Sequence, residues 1–410
     1  MAENLTRRAF LTKSTALGCS AAASPFLTTA SFASLPTQNR VVVIILRGGM
    51  DGLDVLRPWG DDRFSSIRPT LAKSFDEKLM LDQFHGLHPR LKPMLPLWRA
   101  GELAFVRAVS TPYRNKRSHF DGQDILEAGT PGLPSEYGRD GWLNRMLQGM
   151  QHTHGETAYS IGTQPMLLSS GQADFFNWSP DADVALSAQG LELLQRLYRQ
   201  DPEMHSALMQ AVSLSESDGD SAIFETAGED MTMAVQNNMA PGKARLATRR
   251  VAEFAAGRLA DDARVACFSI GGWDTHANQG VSLNRPLSYL ADTLNTLKSG
   301  MGSHAWQRTT VVAMTEFGRT VRENGTKGTD HGTGGTMVLS GGALRGGRIL
   351  GQWPGLAEED LFERRDLMPV DDVRRWAAWV MRSSFGLETS FLEQTVFPGL
   401  ELGDDPGILL

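Results

Sequence analysis

Cysteine is almost missing from this 410-residue chain: it has two, Cys19 and Cys267. Cys19 lies in an N-terminal stretch that reads as a removable leader. A single remaining thiol can form neither an internal disulfide nor an iron–sulfur cluster. Basic charge is also in deficit. Lys and Arg number 40 against 47 Asp and Glu, a net charge of -7, which argues against a nucleic-acid partner. After the leader no apolar run approaches the roughly 20 residues of a membrane helix. The glycines match neither a phosphate-binding Walker loop nor a dinucleotide fingerprint. No Gly-x-Ser-x-Gly elbow marks a serine hydrolase. No internal repeat is visible.

What is present begins at Thr6. Thr6-Arg7-Arg8-Ala9-Phe10-Leu11-Thr12-Lys13 pairs two arginines with Phe-Leu, and an Ala/Ser/Thr-rich apolar stretch runs on to Ser31-Phe32-Ala33. A basic start, an apolar middle and a small-residue exit are the layout of a twin-arginine export signal over residues 1–33. That predicts periplasmic or secreted location, the twin-arginine translocase as a transient partner, and a chain that folds before export with any metal already loaded. Ala16-Leu17-Gly18-Cys19 also fits a lipoprotein cleavage box, but Lys13 interrupts an already short apolar segment.

The remainder, with 41% hydrophobic and 21% charged residues overall, suffices for a large core. Arg40–Leu46 is a continuous β-branched run and reads as a central strand buried on both faces. Further strands are predicted at Leu103–Val109, Ala158–Ile161, Val265–Ile270, Thr309–Met314 and Met337–Ser340. Helices are predicted at Leu91–Ala100, His119–Ala128, Trp142–Met150, Leu191–Tyr198, Ala244–Leu259, Pro286–Lys298 and Val370–Phe385. The alternation predicts a three-layer α/β/α sandwich around a mostly parallel mixed sheet. One domain would span 39–400, with a helical insertion around 181–261 that includes an acidic, Ser-rich loop at Ser213–Asp230.

Polar residues gather where these strands end, the edge at which open α/β sheets bind ligands. Asp51 and Asp54 follow the first strand on a glycine turn; they suit metal ligands or plain turn formers. Ser118 stands at a helix N-cap with Asp121 at the capping-box position. Flanked by Arg114 and Arg117, that helix start could attract an anion and activate a hydroxyl, with His119 beside it. Asp274 and His276 follow the strand ending at Ile270 and can both point at one ion. Glu316 and Arg319 follow Met314. Asp330 and His331 sit on a glycine-rich loop leading into Met337–Ser340, which suits close approach to an ion or oxyanion. Together these groups fit a two-metal hydrolytic site.

The motifs Arg47-Gly-Gly-Met-Asp-Gly-Leu-Asp54, Arg117-Ser-His-Phe-Asp121, Gly272-Trp-Asp-Thr-His276, Thr315-Glu-Phe-Gly-Arg319 and Thr329-Asp-His-Gly332 resemble, in that order, a family of twin-arginine-exported bacterial proteins of unknown function. That family is grouped with the alkaline phosphatase and sulfatase superfamily. The resemblance implies an alkaline-phosphatase-like fold and divalent metal ions: zinc, calcium, magnesium or manganese. Asp51, His119, Asp274, His276, Glu316, Asp330 and His331 would be the metal ligands. Ser118, or water, would be the nucleophile, and Arg114, Arg117 and Arg319 would steady a phosphate or sulfate ester, a small anionic substrate. The superfamily usually places a ligand His after the strand carboxylate, where this chain has Phe317. Either Asp330 or His119 replaces that ligand, or the second site is absent. The alternative is a non-catalytic exported protein that binds an anion or other ligand and keeps the fold.

Overall fold

The structure is a computed structural model. It describes residues 37–150 except Ser74 and Asn115, residues 157–162 and 165–179, the single positions Tyr198, His205 and Met209, and residues 241–410. The expected export signal 1–33, the helix expected at Leu191–Tyr198 (but for Tyr198) and the expected acidic loop Ser213–Asp230 lie outside the described residues. The chain divides between Ser34 and Leu35, and all that follows concerns the second unit.

Among the described residues nine strands form the main sheet: β1 Arg40–Leu46, β2 Leu103–Ser110, β3 Ala158–Ile161, β4 Phe176–Trp178, β5 Val265–Ile270, β6 Thr309–Met314, β7 Gly335–Ser340, β8 Arg348–Leu350 and β9 Asp371–Asp372. Their order is β8-β2-β7-β6-β1-β5-β3-β4, with β9 also on β2. β1 is central and pairs in parallel with β5 and β6. β7 alone runs against its neighbours, antiparallel to both β2 and β6. The expected mostly parallel mixed sheet is therefore present, with one reversed strand. That reversal matters for the site: the loop before β7 emerges on the same rim as the loops after β1, β2, β5 and β6.

Helices cover both faces. The main ones are α1 His119–Ala128, α2 Trp142–Gln148, α3 Pro241–Ala260, α4 Asn284–Trp306 and α5 Val373–Phe385. Alternate side chains of β1 divide between two cores, because successive residues of a strand point to opposite faces. Val42, Ile44 and Leu46 pack with Ala255, Ala256 and Leu259 of α3 and Leu287, Leu290 and Leu294 of α4. Val41, Val43 and Ile45 pack with Leu143 and Met146 of α2 and Trp376, Ala377 and Val380 of α5. Each such aliphatic side chain contributes about 1.5–3 kcal/mol by leaving water. α3 lies within the stretch predicted as an insertion, yet its apolar stripe seals one face of the main sheet. Among the described residues no helix is long and apolar enough to cross a membrane.

Candidate metal centre

The rim of the sheet gathers side chains from four loops. His119 opens α1, after β2. Its start is set by Ser118, whose Oγ accepts a bond from Asp121 N at 3.4 Å and so caps the helix. Asp274 and His276 follow β5, Glu316 and Arg319 follow β6, and His331 precedes β7.

Three imidazoles surround one carboxylate oxygen. From Asp274 Oδ1, His276 Nε2 is 3.0 Å away, His331 Nε2 3.3 Å and His119 Nε2 3.5 Å. His276 Nε2 and His331 Nε2 are 2.9 Å apart. The ligand atoms of His119, Asp274 and His331 all lie within 4.8 Å of one another. A tetrahedral ion at 2.0–2.1 Å from its ligands spaces them by roughly 3.4 Å, close to these separations.

The other nitrogen of each ring is occupied. His119 Nδ1 lies 2.8 Å from Glu316 Oε1, His276 Nδ1 lies 3.1 Å from Asp330 Oδ1, and His331 Nδ1 lies 2.8 Å from the carbonyl of Arg117. An acceptor at Nδ1 fixes the proton there and leaves Nε2 as a lone pair. His119 Nε2 is a buried nitrogen with no hydrogen-bond partner; its 3.5 Å approach to Asp274 is too long for one. Such an orphaned atom calls for an ion or water, so the residues present fit a bound metal.

A proton competes with a metal for His119 Nε2. Burial works against charge on His119, but the carboxylates of Asp274 and Glu316 outweigh it and raise its pKa to about 9, so metal binding there displaces a proton. Burial likewise opposes ionisation of Asp274, and the neighbouring His119, His331 and Arg319 hold it far below the usual carboxylate range. Glu316, fully buried, is also lowered despite its burial, chiefly by its bond to His119. Phe317 forms the floor, its ring centroid 5.0 Å from those of His119 and His331. Gly48 lets the loop after β1 pass beneath: at φ +120 a side chain is strained, and a Cβ there would meet Asp274 N at 2.6 Å.

The residues singled out in the sequence separate into distinct positions. His119, Asp274, His276 and His331 converge. Glu316 and Asp330, expected as ligands, stand behind His119 and His276. Asp51 faces elsewhere: its oxygens take Arg68 Nη1 at 2.6 Å, Gln279 Nε2 at 2.5 Å and Leu53 N at 3.2 Å. The expected anion-binding arginines have protein partners. Arg319 is fully buried and spends its donors on Asp274 Oδ1 and on the carbonyls of Gly48, Gly49, Trp273 and Thr329. Arg114 holds the carbonyls of Thr111 and Tyr113. Arg117 pairs with Glu363 at 2.7 Å and Asp366 at 3.1 Å. Sequence reasoning missed Gln279 and Asp366; a loop amide and a lone aspartate carry no spacing signal.

A mixed α/β/α sandwich with a histidine–aspartate cluster at one rim defines the class. The chain belongs to the family described as "Protein of unknown function (DUF1501)", whose model matches residues 104–387. No curated protein matches it. Among solved structures, Ps i-CgsB in complex with k-i-k-neocarrahexaose is similar at 10% identity and a TM-score of 0.41, over 87% of this chain and 75% of that one. A likeness so slight carries no function across.

Proposed function

We propose that the protein is an exported metal-dependent hydrolase of a phosphate or sulfate ester, built on an alkaline-phosphatase-like fold. The observation that carries the metal reading is the common orientation of three imidazoles. Each has Nδ1 tied to an oxygen and Nε2 turned to Asp274 Oδ1. His119, Asp274 and His331 would hold the ion and His276 would complete the set. Nitrogen-rich donors favour zinc or a similar transition ion over calcium or magnesium, which take oxygen. When bound, such an ion supplies Lewis-acid polarisation of an ester oxygen. The chain's own part is to hold the ligands. Glu316, Asp330 and the Arg117 carbonyl keep the ring protons on Nδ1, and Arg319 fixes Asp274. The side chains of Asp274 and His276 are 43% and 44% exposed, so a substrate can reach the centre from solvent.

Export rests on Thr6–Lys13. Replacing Arg7 and Arg8 together by Lys should leave the protein in the cytoplasm on fractionation; unchanged export would refute the signal. For the enzyme, the full chain should carry stoichiometric transition metal by elemental analysis and turn over aryl phosphate or aryl sulfate. His331→Ala should lose both. Native protein that neither contains nor takes up metal would end the reading.

A second reading is favoured by one observation: Arg114, Arg117 and Arg319 are all committed to protein partners. On that account the protein binds a ligand at the centre without turning it over. It predicts metal in the native protein, thermal protection by inorganic phosphate or sulfate, and no hydrolysis of either aryl ester.

A further inference from the structure

We propose that Gln279 is a positioning residue of the metal centre, and that Asp51 and Asp54 serve to orient its amide. This rests on the metal reading above and assigns a role to carboxylates that touch no ligand atom of the cluster. Gln279 is fully buried. Its Nε2 donates to Asp51 Oδ2 at 2.5 Å and Asp54 Oδ2 at 3.0 Å. Its Oε1 accepts from Thr275 Oγ1 at 2.9 Å and Thr329 Oγ1 at 2.7 Å. Two donors and two lone pairs are thus all used. The amide can sit only this way round. Reversed, its carbonyl oxygen would face two carboxylates. Those carboxylates are anchored in turn, Asp51 by Arg68 and Asp54 by Arg57, each at 2.6 Å.

The two hydroxyls belong to the two ligand loops. Thr275 lies between Asp274 and His276. Thr329 lies two residues before His331. The backbone stitches the same loops together: Thr329 N donates to Thr275 O at 3.2 Å, Asn278 N to Thr326 O and Gln279 N to Lys327 O, both at 2.9 Å. At Gly328 the loops touch so closely that a Cβ would lie 2.3 Å from His276 O. Gln279 thereby sets the separation of Asp274 and His276 from His331 without contacting any of them. A four-bonded buried amide between two ligand loops is the kind of outer support on which metal affinity depends.

The test compares two full-length double variants, T275V/T329V and T275S/T329S. Valine keeps the shape and removes both hydroxyls; serine keeps the hydroxyls. Zinc affinity by chelator competition and the visible spectrum of bound cobalt(II) are read beside the Tm of metal-free protein. The valine pair should lose about 10–100-fold in zinc affinity and shift the cobalt bands, and the serine pair should restore both. A valine pair with lower Tm but wild-type affinity and spectrum would make Gln279 a support of the fold alone and overturn the assignment. Wild-type protein that binds neither zinc nor cobalt would instead overturn the metal reading. If the double valine variant does not fold, T329V against T329S decides by the same readouts.

Discussion

Replacing Glu316 by Gln isolates one charge at the centre. The carboxylate is fully buried and takes four donors: His119 Nδ1 at 2.8 Å, Gly48 N at 2.9 Å and Gln123 Nε2 at 3.2 Å on Oε1, and Thr315 Oγ1 at 2.9 Å on Oε2. Glutamine has the same volume. Its oxygen keeps the first three bonds. Its NH2 can donate to Thr315 Oγ1, whose one proton then turns from Oε2 to Leu46 O, 2.8 Å away. Geometry and tautomer are therefore preserved, and only the negative charge behind the His119 ring is lost. That charge makes Nε2 a stronger base. Loss of such an outer partner costs about 10–100-fold in metal affinity, or roughly 1.4–2.7 kcal/mol. The assay is zinc titration of the full chain against a chromophoric chelator, with the circular dichroism spectrum as a check on folding. Affinity equal to wild type would mean that His119 does not hold the ion through Nε2. A loss far beyond 100-fold would mean that Glu316 is itself a ligand.

Two other perturbations bear on the same structure. Ser118→Ala removes the cap of α1; the bond is long at 3.4 Å, so urea unfolding should show a cost near the low end of the usual range, about 0.5–1 kcal/mol. Turnover of an aryl ester should survive; its abolition with unchanged stability would make Ser118 the nucleophile. His88 is buried, accepts Arg90 N at 3.1 Å through Nδ1, and has its pKa lowered by burial to about 4. Below the ordinary value of 6.5 the unfolded chain takes a proton that the folded one refuses. This stability is complete above pH 6.5 and is lost as pH falls toward 4, about 1.4 kcal/mol per unit at most and roughly 3 kcal/mol in all. His88→Asn keeps an acceptor for Arg90 N and should flatten the acid limb by that one proton; an unchanged slope in urea titrations across pH 4–6.5 would refute the assignment.

Much of the scaffold was legible because long buried strands have an unmistakable composition. Arg40–Leu46, Val265–Ile270 and Thr309–Met314 fall where the apolar runs put them. The helix at His119 starts at its cap. Short elements were not: Phe176–Trp178, Arg348–Leu350 and Asp371–Asp372 have two or three residues each, too few to display a period. The direction of β7 was also invisible, since an apolar strand reads the same both ways. The rim residues were found by chemical type, and type has a limit. Asp51, Glu316 and Asp330 are carboxylates like Asp274, but which of them meets an ion depends on what stands in front of it, and sequence gives no depth.

That depth is clearest in the loop after β6. Glu316, Phe317 and Arg319 are 0%, 3% and 1% exposed, so two charges are buried within four residues. A buried charge is costly unless paired and hydrogen-bonded, and here each is. Glu316 bonds the ring of His119, Arg319 bonds the carboxylate of Asp274, and Phe317 fills the space beneath His119 and His331. β6 lies between β7 and β1, so this loop runs under the cluster rather than into it. If the centre were incidental to the fold, apolar residues would fill the same space at lower cost, as they often do when buried ion pairs are replaced. The buried charges instead point one each at a histidine and an aspartate whose ligand atoms converge. Their arrangement is explained by orienting those two groups, which packing alone does not require.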